Sequence, residues 1–296
     1  MRAALVIAGS TIKCGLRSKG IWVVVIASVV PMLLLYAVLH LLPDNIFGAA
    51  IELAAGLHGE DPKESSEMIL GGSAEDRRVF ITDTTVSGSM KLIGVVGTAI
   101  AILFTVMTNE AGRKSLPHIL AHPIPRVSIV AGSYLGTLAV TWGAVAIMAT
   151  FGFLLYLATQ GTANWGLFVG AGFMGIGMSV TAAYCVLLTT VLPSVISILA
   201  AFLFAWVASQ TYHVRVALKN VTLGMVDTLG DAWMWVIPRL GDFGVRGVDW
   251  AIRINVGDDN FQWADTGNML TATIMAAVHI ALALTIAGVH LNRKAV

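Results

Sequence analysis

Apolar residues run through this chain in long blocks that are separated by short polar segments. Residues 127–214 contain no Asp, Glu, Lys or Arg over 88 positions. A membrane-crossing helix needs about 20 predominantly apolar residues, so this block alone accommodates three or four crossings. A charge at the centre of such a helix costs about 2.5–3.5 kcal/mol, which explains why charged residues are missing from it. The pattern predicts an all-α polytopic membrane protein.

Six apolar blocks are long enough to cross a bilayer. Pro193 separates two of them and predicts a tight reversal, because proline cannot donate a helix hydrogen bond. The first block is 22 residues long, which exceeds the roughly 7–15 residues of a signal peptide's apolar core, so we predict a retained span. The predicted spans cover residues 21–42, 91–108, 129–158, 165–190, 192–210 and 268–291.

The first 20 residues are amphipathic at helical spacing. Three polar residues, Ser10, Lys13 and Arg17, share one face, and the opposite face is apolar, with Leu5, Ala8, Ile12 and Leu16. Such a helix lies in the plane of the membrane interface. We therefore predict an elbow helix over residues 1–20 ahead of the first span; a frayed cytoplasmic tail is the alternative.

The distribution of charge orients the spans. The segments 1–20, 109–127 and 292–296 hold nine basic residues and one acid, Glu110, whereas the remaining nine bases and sixteen acids lie elsewhere. Short loops rich in Lys and Arg face the cytoplasm. With six spans, all three basic segments fall on one side, so we predict that both termini are cytoplasmic.

The two long loops differ in composition. Loop 43–90 is acidic, and we predict an extracytoplasmic element there that offers a surface to an outer partner. Loop 211–267 carries four of the eight tryptophans. Because tryptophan prefers the headgroup level of a bilayer, this loop is predicted to contain interfacial or re-entrant helices, although a folded exterior lid fits the composition nearly as well.

Glycines recur at four-residue spacing in two of the spans. One pair is Gly132 and Gly136, and the other is Gly166 and Gly170. Small residues at this spacing let membrane helices approach closely. The pattern predicts helix packing, either within the chain or at a dimer interface.

Catalytic and cofactor motifs are missing from the sequence. Net charge is +1, which gives no reason to expect a nucleic-acid partner. Residues 112–115 resemble the end of a phosphate-binding loop, but the required first glycine is absent at Met107. His118 and His122 have no third metal ligand nearby. We therefore predict no enzymatic activity, metal or cofactor, with any ATP bound by a separate subunit.

The cytoplasmic segment 109–127 is the most distinctive part of the chain. It contains a short apolar stretch that Pro117 can open as a helix, and Pro123 and Pro125 break the chain before the next span. At nearly twenty residues it is longer than a connector needs. We predict a short helix parallel to the membrane whose apolar residues, Leu116, Ile119 and Leu120, dock onto a cytoplasmic partner.

This segment resembles the coupling region of ABC-2 type permeases. The family pattern has an acid at a helix end, Thr/Ser-Leu, a Pro-Ile-x-Arg break and a glycine-containing apolar helix. The matching residues are Glu110, Ser115, Leu116, Ile119, Leu120, Pro123, Ile124, Arg126, Ile129, Gly132, Leu135 and Gly136. Two positions depart from it, with Lys114 in place of a glycine and Ser133 in place of a lysine. The whole layout is similar to that of NosY and GldF type permeases.

The resemblance implies an exporter of two permeases, as a homodimer or heterodimer, and two cytoplasmic ATPases. Its ATPase-coupling residues would be Glu110, Ser115, Leu116, Ile119, Leu120, Pro123 and Arg126. Glu110 and Arg126 either pair across the coupling helix or remain two solvated charges. Two other functions fit the sequence: an ABC complex that transmits force to an extracytoplasmic partner without transport, and a membrane-embedded lipid- or haem-handling factor. The latter would use Asp227, Asp231, Asp242, Arg239 and His213. The substrate cannot be read from the sequence.

Overall fold

The computed structural model describes residues 2–17, 74–120, 125–214, 236–244, 247–248 and 266–293, and the single positions 26, 30 and 33. Within these ranges the chain contains helices and no strand. The long helices are α1 (Arg2–Arg17), α2 (Ala74–Leu120), α3 (Arg126–Gln160), α4 (Gly166–Val191), α5 (Ser194–Ser209) and α6 (Thr266–Arg293). The predicted all-α polytopic architecture is confirmed.

Five of the described helices are long and apolar enough to cross a membrane. These spans are Val86–Asn109, Val127–Ala158, Gly166–Val191, Ser194–Val214 and Met269–Arg293. Each overlaps one predicted span, and their ends differ by five residues at most. The predicted first span, 21–42, lies outside the described residues apart from three positions, as do most of loops 43–90 and 211–267.

Helix α2 extends well beyond the predicted span 91–108 at both ends. It begins at Ala74, inside the predicted outer loop, and continues without interruption to Leu120. We expected a break near residue 108 and a separate short helix after it. Charged residues mark where an apolar stretch ends, but they do not end a helix, because Arg, Lys and Glu have helix propensities close to that of alanine. Pro117 lies in the last turn of α2, where its missing N–H leaves the backbone carbonyl of residue 113 without its usual helix donor.

Helix α4 is the centre of the bundle. It packs against α2, α3, α5 and α6, and 67% of its most apolar stretch is buried, against 28% for α5. Small residues make this possible: Ala182 and Ala183 are fully buried, and they pack with Ala283 and Ala287 of α6. Lipid tails are as apolar as the helix surfaces, so the hydrophobic effect does not drive helices together within a membrane. Close packing of this kind is what holds them together.

Helices α3 and α4 also interlock through an aromatic side chain. The indole of Trp142 lies where a side chain at Gly175 would project, since an added Cβ there would be 2.7 Å from its Cη2 atom. The indole Nε1 donates a hydrogen bond to Ser179 Oγ at 3.1 Å. The Tyr134 hydroxyl donates to the Ser179 carbonyl at 3.3 Å. One turn of α4 therefore fixes two aromatic residues of α3.

The two ends of the bundle are closed by short turns. Helix α3 ends at Gly161, whose left-handed φ of 68° lets its N–H donate to the Leu157 carbonyl at 2.9 Å. At the other end, Leu192 and Pro193 are extended and separate α4 from α5. The buried Ser197 hydroxyl contacts the carbonyl oxygens of Leu188 and Leu192 at 3.2 and 3.3 Å. It supplies one donor at this helix end, where the Leu188 carbonyl also accepts from the Leu192 N–H at 2.8 Å.

Part of the long loop after α5 re-enters the bundle. Residues 240–244 form a short helical segment, and Phe243 is only 1% exposed among side chains of α4 and α6. Gly170 and Gly177 of α4 create the necessary space, since an added Cβ at either would contact Gly247 or Phe243. The tryptophans of this loop lie outside the described residues.

The N-terminal helix is held in a groove made by two glycines of α3. A Cβ at Gly132 would lie 2.7 Å from Ile7 Cβ and 2.8 Å from the Ala4 carbonyl oxygen. At Gly136 it would lie 2.5 Å from Thr11 Cβ. The GxxxG pair 132/136 therefore serves packing within the chain. Helix α1 docks on the span through its own backbone, and Ala8 and Thr11 are buried there.

We predict that Gly132→Ala weakens the docking of α1. The added methyl group collides with Ile7 and with backbone, and overpacking of this kind costs about 1–3 kcal/mol. The thermal unfolding midpoint should fall, and trypsin should cut faster after the exposed Lys13. Gly143→Ala is the matched control, because no atom lies within 4 Å of the added Cβ. Equal unfolding midpoints and equal cleavage rates for the two variants would contradict the docking of α1 against Gly132.

Candidate functional site

The residues with the most specific sequence signal, 109–127, follow directly on a membrane span. The span of α2 ends at Asn109, and the helical backbone continues from there through Glu110 to Leu120. Arg126 opens α3. Side chains of residues 110–124 and of Arg126 lie outside the described part of the structure. The docking roles of Glu110, Ser115, Leu116, Ile119, Leu120, Pro123 and Arg126 stay predictions.

A buried polar cluster lies at the junction between this segment and the bundle. Ser133 Oγ of α3 donates to Asn109 Oδ1 at 2.6 Å. Asn109 Nδ2 donates in turn to Thr189 Oγ1 of α4 at 2.6 Å, and Thr189 Oγ1 donates to the Val186 carbonyl at 2.8 Å. We call Asn109, Ser133 and Thr189 the Asn109 cluster. One amide side chain thus links three spans.

The cluster stabilises the arrangement of the helices because its polar side chains are largely buried. Ser133 is 8% exposed and Thr189 is 3% exposed. A buried polar group in a membrane needs a partner, since lipid offers none. Interhelical hydrogen bonds of this type contribute about 0.6 kcal/mol each on average and up to about 1.7. The cluster therefore fixes the relative positions of α2, α3 and α4 at Asn109, the first residue of the coupling segment.

Only part of this arrangement could be predicted from the sequence. Ser133 stood out because the family pattern has a lysine there, and the structure shows it bonded to Asn109. Asn109 and Thr189 were not predicted as site residues, because each lies beside other polar residues at the end of an apolar block. Their 80-residue separation hides the contact. The available signal was that polar residues at facing span ends on the same predicted side tend to pair.

Polar residues continue over the next two turns of α3 beyond the cluster. Thr137 and Thr141 are buried, at 0% and 1% exposure, and their hydroxyls have no hydrogen-bond partner among the described residues. On α2, Thr105 lies one turn from Asn109 and donates to the Ala101 carbonyl at 2.6 Å. Cys185 of α4 contacts the Ile102 carbonyl at 3.6 Å. The interior between these helices is thus less uniformly apolar than their outer surfaces.

A second polar contact joins α4 to α6. The Tyr184 hydroxyl and His279 Nδ1 are 2.7 Å apart, and the tautomer of the histidine decides which group donates. The ring of Tyr184 also stacks on Phe204 of α5, with centroids 4.2 Å apart. His279 is 6% exposed. These contacts tie the two outermost described helices to α4.

The residues that a lipid- or haem-handling factor would use are only partly described. Asp227 and Asp231 lie outside the described residues. Asp242 is buried, at 3% exposure, in the re-entrant segment, and His213 is exposed at the end of the fifth predicted span. Among the described residues, no three His, Cys, Asp or Glu side chains come together in a way that could hold a metal ion.

Comparison with known proteins identifies the family. A family model described as "ABC-2 family transporter protein" matches residues 5–224. The match covers α1 to α5, the coupling segment and the Asn109 cluster. No curated protein matches the chain.

We predict a measurable coupling between Asn109 and Ser133. In a double-mutant cycle with Asn109→Ala and Ser133→Ala, the interaction energy for unfolding should be about 0.6 kcal/mol and no more than about 1.7. Thr150→Ala supplies the control, because the exposed Thr150 hydroxyl donates to Ala146 of its own helix. Asn109→Ala and Thr150→Ala should be additive. If both pairs of mutations are additive, Asn109 and Ser133 are not energetically coupled, and the cluster does not stabilise the contact between α2 and α3.

Proposed function

Because the chain belongs to the ABC-2 transporter family, in which the membrane subunit works with a separate ABC ATPase, we propose that it is an exporter permease whose coupling segment, 109–127, transmits the ATPase cycle to the spans. It is a multi-pass membrane protein and a permease component of an ABC transporter. The export direction, the role of 109–127 and the pairing with a second permease form the proposal.

The observation that carries this proposal is the continuity of α2. One helix includes the span Val86–Asn109 and the first twelve residues of the coupling segment, 109–120. A helix transmits displacement along its axis because each turn is hydrogen-bonded to the next. Motion imposed on α2 would therefore reach Asn109 along the helix, with Pro117 the one position between Asn109 and Leu120 that lacks a backbone N–H donor.

The Asn109 cluster would pass a displacement of α2 to two other helices. Its hydrogen bonds connect the end of the α2 span to α3 and to the central helix α4. A displacement of α2 must either carry these helices along or exchange the hydrogen bonds of Asn109 for others. Either response changes the packing between spans, which is what alternating access to a substrate path requires.

The charge distribution supports the orientation. The coupling segment lies in one of three short basic segments, and both long loops are acidic. We place the protein in the inner or plasma membrane of a prokaryote with both termini in the cytoplasm. The layout similar to NosY and GldF type permeases supports pairing with a second permease. Helix α5 offers an exposed apolar stripe for such a contact or for lipid: Val195, Leu199, Leu203 and Trp206.

The direct test is a charge placed in the apolar docking stripe. Leu120→Asp should leave membrane insertion intact and abolish the stimulation of ATPase activity by the permease in the reconstituted complex. A buried unpaired carboxylate at the interface costs several kcal/mol, enough to disrupt docking. Val236→Asp is the matched control, because Val236 is 72% exposed and follows α5 in the predicted outer loop.

Three outcomes distinguish the functions. Loss of stimulation with Leu120→Asp alone, together with substrate export by the wild-type complex, supports the proposal. Loss of stimulation without export of any substrate supports a complex that only transmits force. Unchanged stimulation in both variants, or failure of any ATPase to copurify with the chain, overturns the coupling role.

A further inference from the structure

A pocket of about 570 Å³ opens between α2, α4, α5 and the re-entrant segment 240–244. Pockets of about 300–1,000 Å³ hold small ligands. Apolar side chains form most of the wall, including Met174, Met178, Phe202, Trp206 and Phe243. Methionine is flexible and polarizable, so these walls can adapt to a chain that lacks a fixed shape. The lining suits an elongated apolar occupant.

Polar groups concentrate at one end of this pocket. Lys91 lies near the start of the α2 span, and Ser209, Gln210 and His213 lie at the end of the fifth span. Thr98, Phe202 and Thr181 line the opposite end. Lys91 and Thr98 are about 10 Å apart along α2 at 1.5 Å per residue. The charged, amide and imidazole side chains of the lining therefore lie at one end, toward the predicted outer surface, and the polar groups toward the other end are the hydroxyls of Thr98 and Thr181, of which Thr181 donates to the Gly177 carbonyl of its own helix.

Charge at the polar end has a single sign. Lys91 is the one charged residue in the span Val86–Asn109, and no Asp, Glu or Arg joins it among the residues that line the pocket. Its side chain is exposed. A lysine just inside a span extends its amine to the headgroup level. An anionic group on the occupant complements this amine.

The pocket is accessible from the side of the bundle. Val95 and Trp206 line it and are 70% and 64% exposed, so its wall is continuous with the apolar surface that faces lipid. An occupant that enters by this path has its apolar part in the bilayer and its charge at the headgroup level. A lipid of the bilayer has this form.

We propose that this pocket binds an acyl chain of an anionic lipid, with the Lys91 amine facing the charged headgroup. Gln210 and His213 lie at the same end and offer further hydrogen-bond donors. The assignment concerns binding by the permease itself. It holds whether or not the proposed coupling to an ATPase is correct, and it is measured without that partner.

The test uses the full-length chain in nanodiscs that contain a trace of phosphatidylglycerol with a photoactivatable acyl chain. A parallel sample contains phosphatidylcholine with the same chain. After illumination and digestion, mass spectrometry quantifies labelled peptides from α2, α4 and α5. We expect phosphatidylglycerol to label them about five-fold more than phosphatidylcholine, the preference that one lysine near a membrane surface provides.

Two variant pairs assign the selectivity and the site. Lys91→Gln should reduce the preference to about one-fold, whereas Lys91→Arg should retain it. Lys13→Gln, which removes a lysine exposed on α1, is the charge control. Gly94→Leu fills the pocket, since a Cβ there has only ordinary contact with Met174, and it should reduce labelling by both lipids. Gly143→Leu, with no atom near its Cβ, is the packing control.

Equal labelling by the two lipids in the wild type would overturn the proposal, as would unchanged selectivity in Lys91→Gln. So would lipid adducts confined to peptides outside α2, α4 and α5, because the pocket would then not be the binding site. If Gly94→Leu does not fold, the comparison of Lys91→Gln with Lys91→Arg still decides the outcome.

Discussion

The close approach of helices at small residues is the constraint on which this structure depends. In a bilayer, lipid tails are as apolar as leucine, so helices associate through van der Waals packing and interhelical hydrogen bonds. Both occur around α3 and α4. Glycines 132 and 136 admit α1, Gly175 admits the indole of Trp142, and Gly170 and Gly177 admit the re-entrant segment. Larger residues at these positions would separate the elements that surround the central helix.

The same constraint explains why a few polar contacts matter. The Asn109 cluster, the Trp142–Ser179 hydrogen bond and the Tyr184–His279 contact join different helices. Each is modest in energy, but each fixes the register of two helices that apolar packing alone would allow to slide. The Asn109 cluster is the one adjacent to the coupling segment. Its position makes it the point where motion of α2 is shared with α3 and α4.

Much of the fold could be predicted because hydrophobic length is a strong constraint in membranes. The structure places the turns of block 127–214 at Gly161, between the predicted spans 129–158 and 165–190, and at Pro193, where a tight reversal was predicted. The limits of α2 were not predicted, since a helix can pass from lipid into water without any break in its backbone pattern. The contacts of Gly132, Gly136 and Asn109 could not be predicted from the sequence either, because they depend on which helices become neighbours.

The central claim is that residues 109–127 face the cytoplasm and are bound by a separate ATPase. The most direct measurement is accessibility of a single cysteine at His122→Cys, in a chain with Cys14 and Cys185 replaced, to a membrane-impermeant maleimide. We expect the maleimide to label this cysteine in inside-out vesicles but not in intact cells. We also expect bound cognate ATPase to protect the cysteine from labelling. Labelling from outside intact cells, or labelling in vesicles that the ATPase leaves unchanged, would contradict the claim.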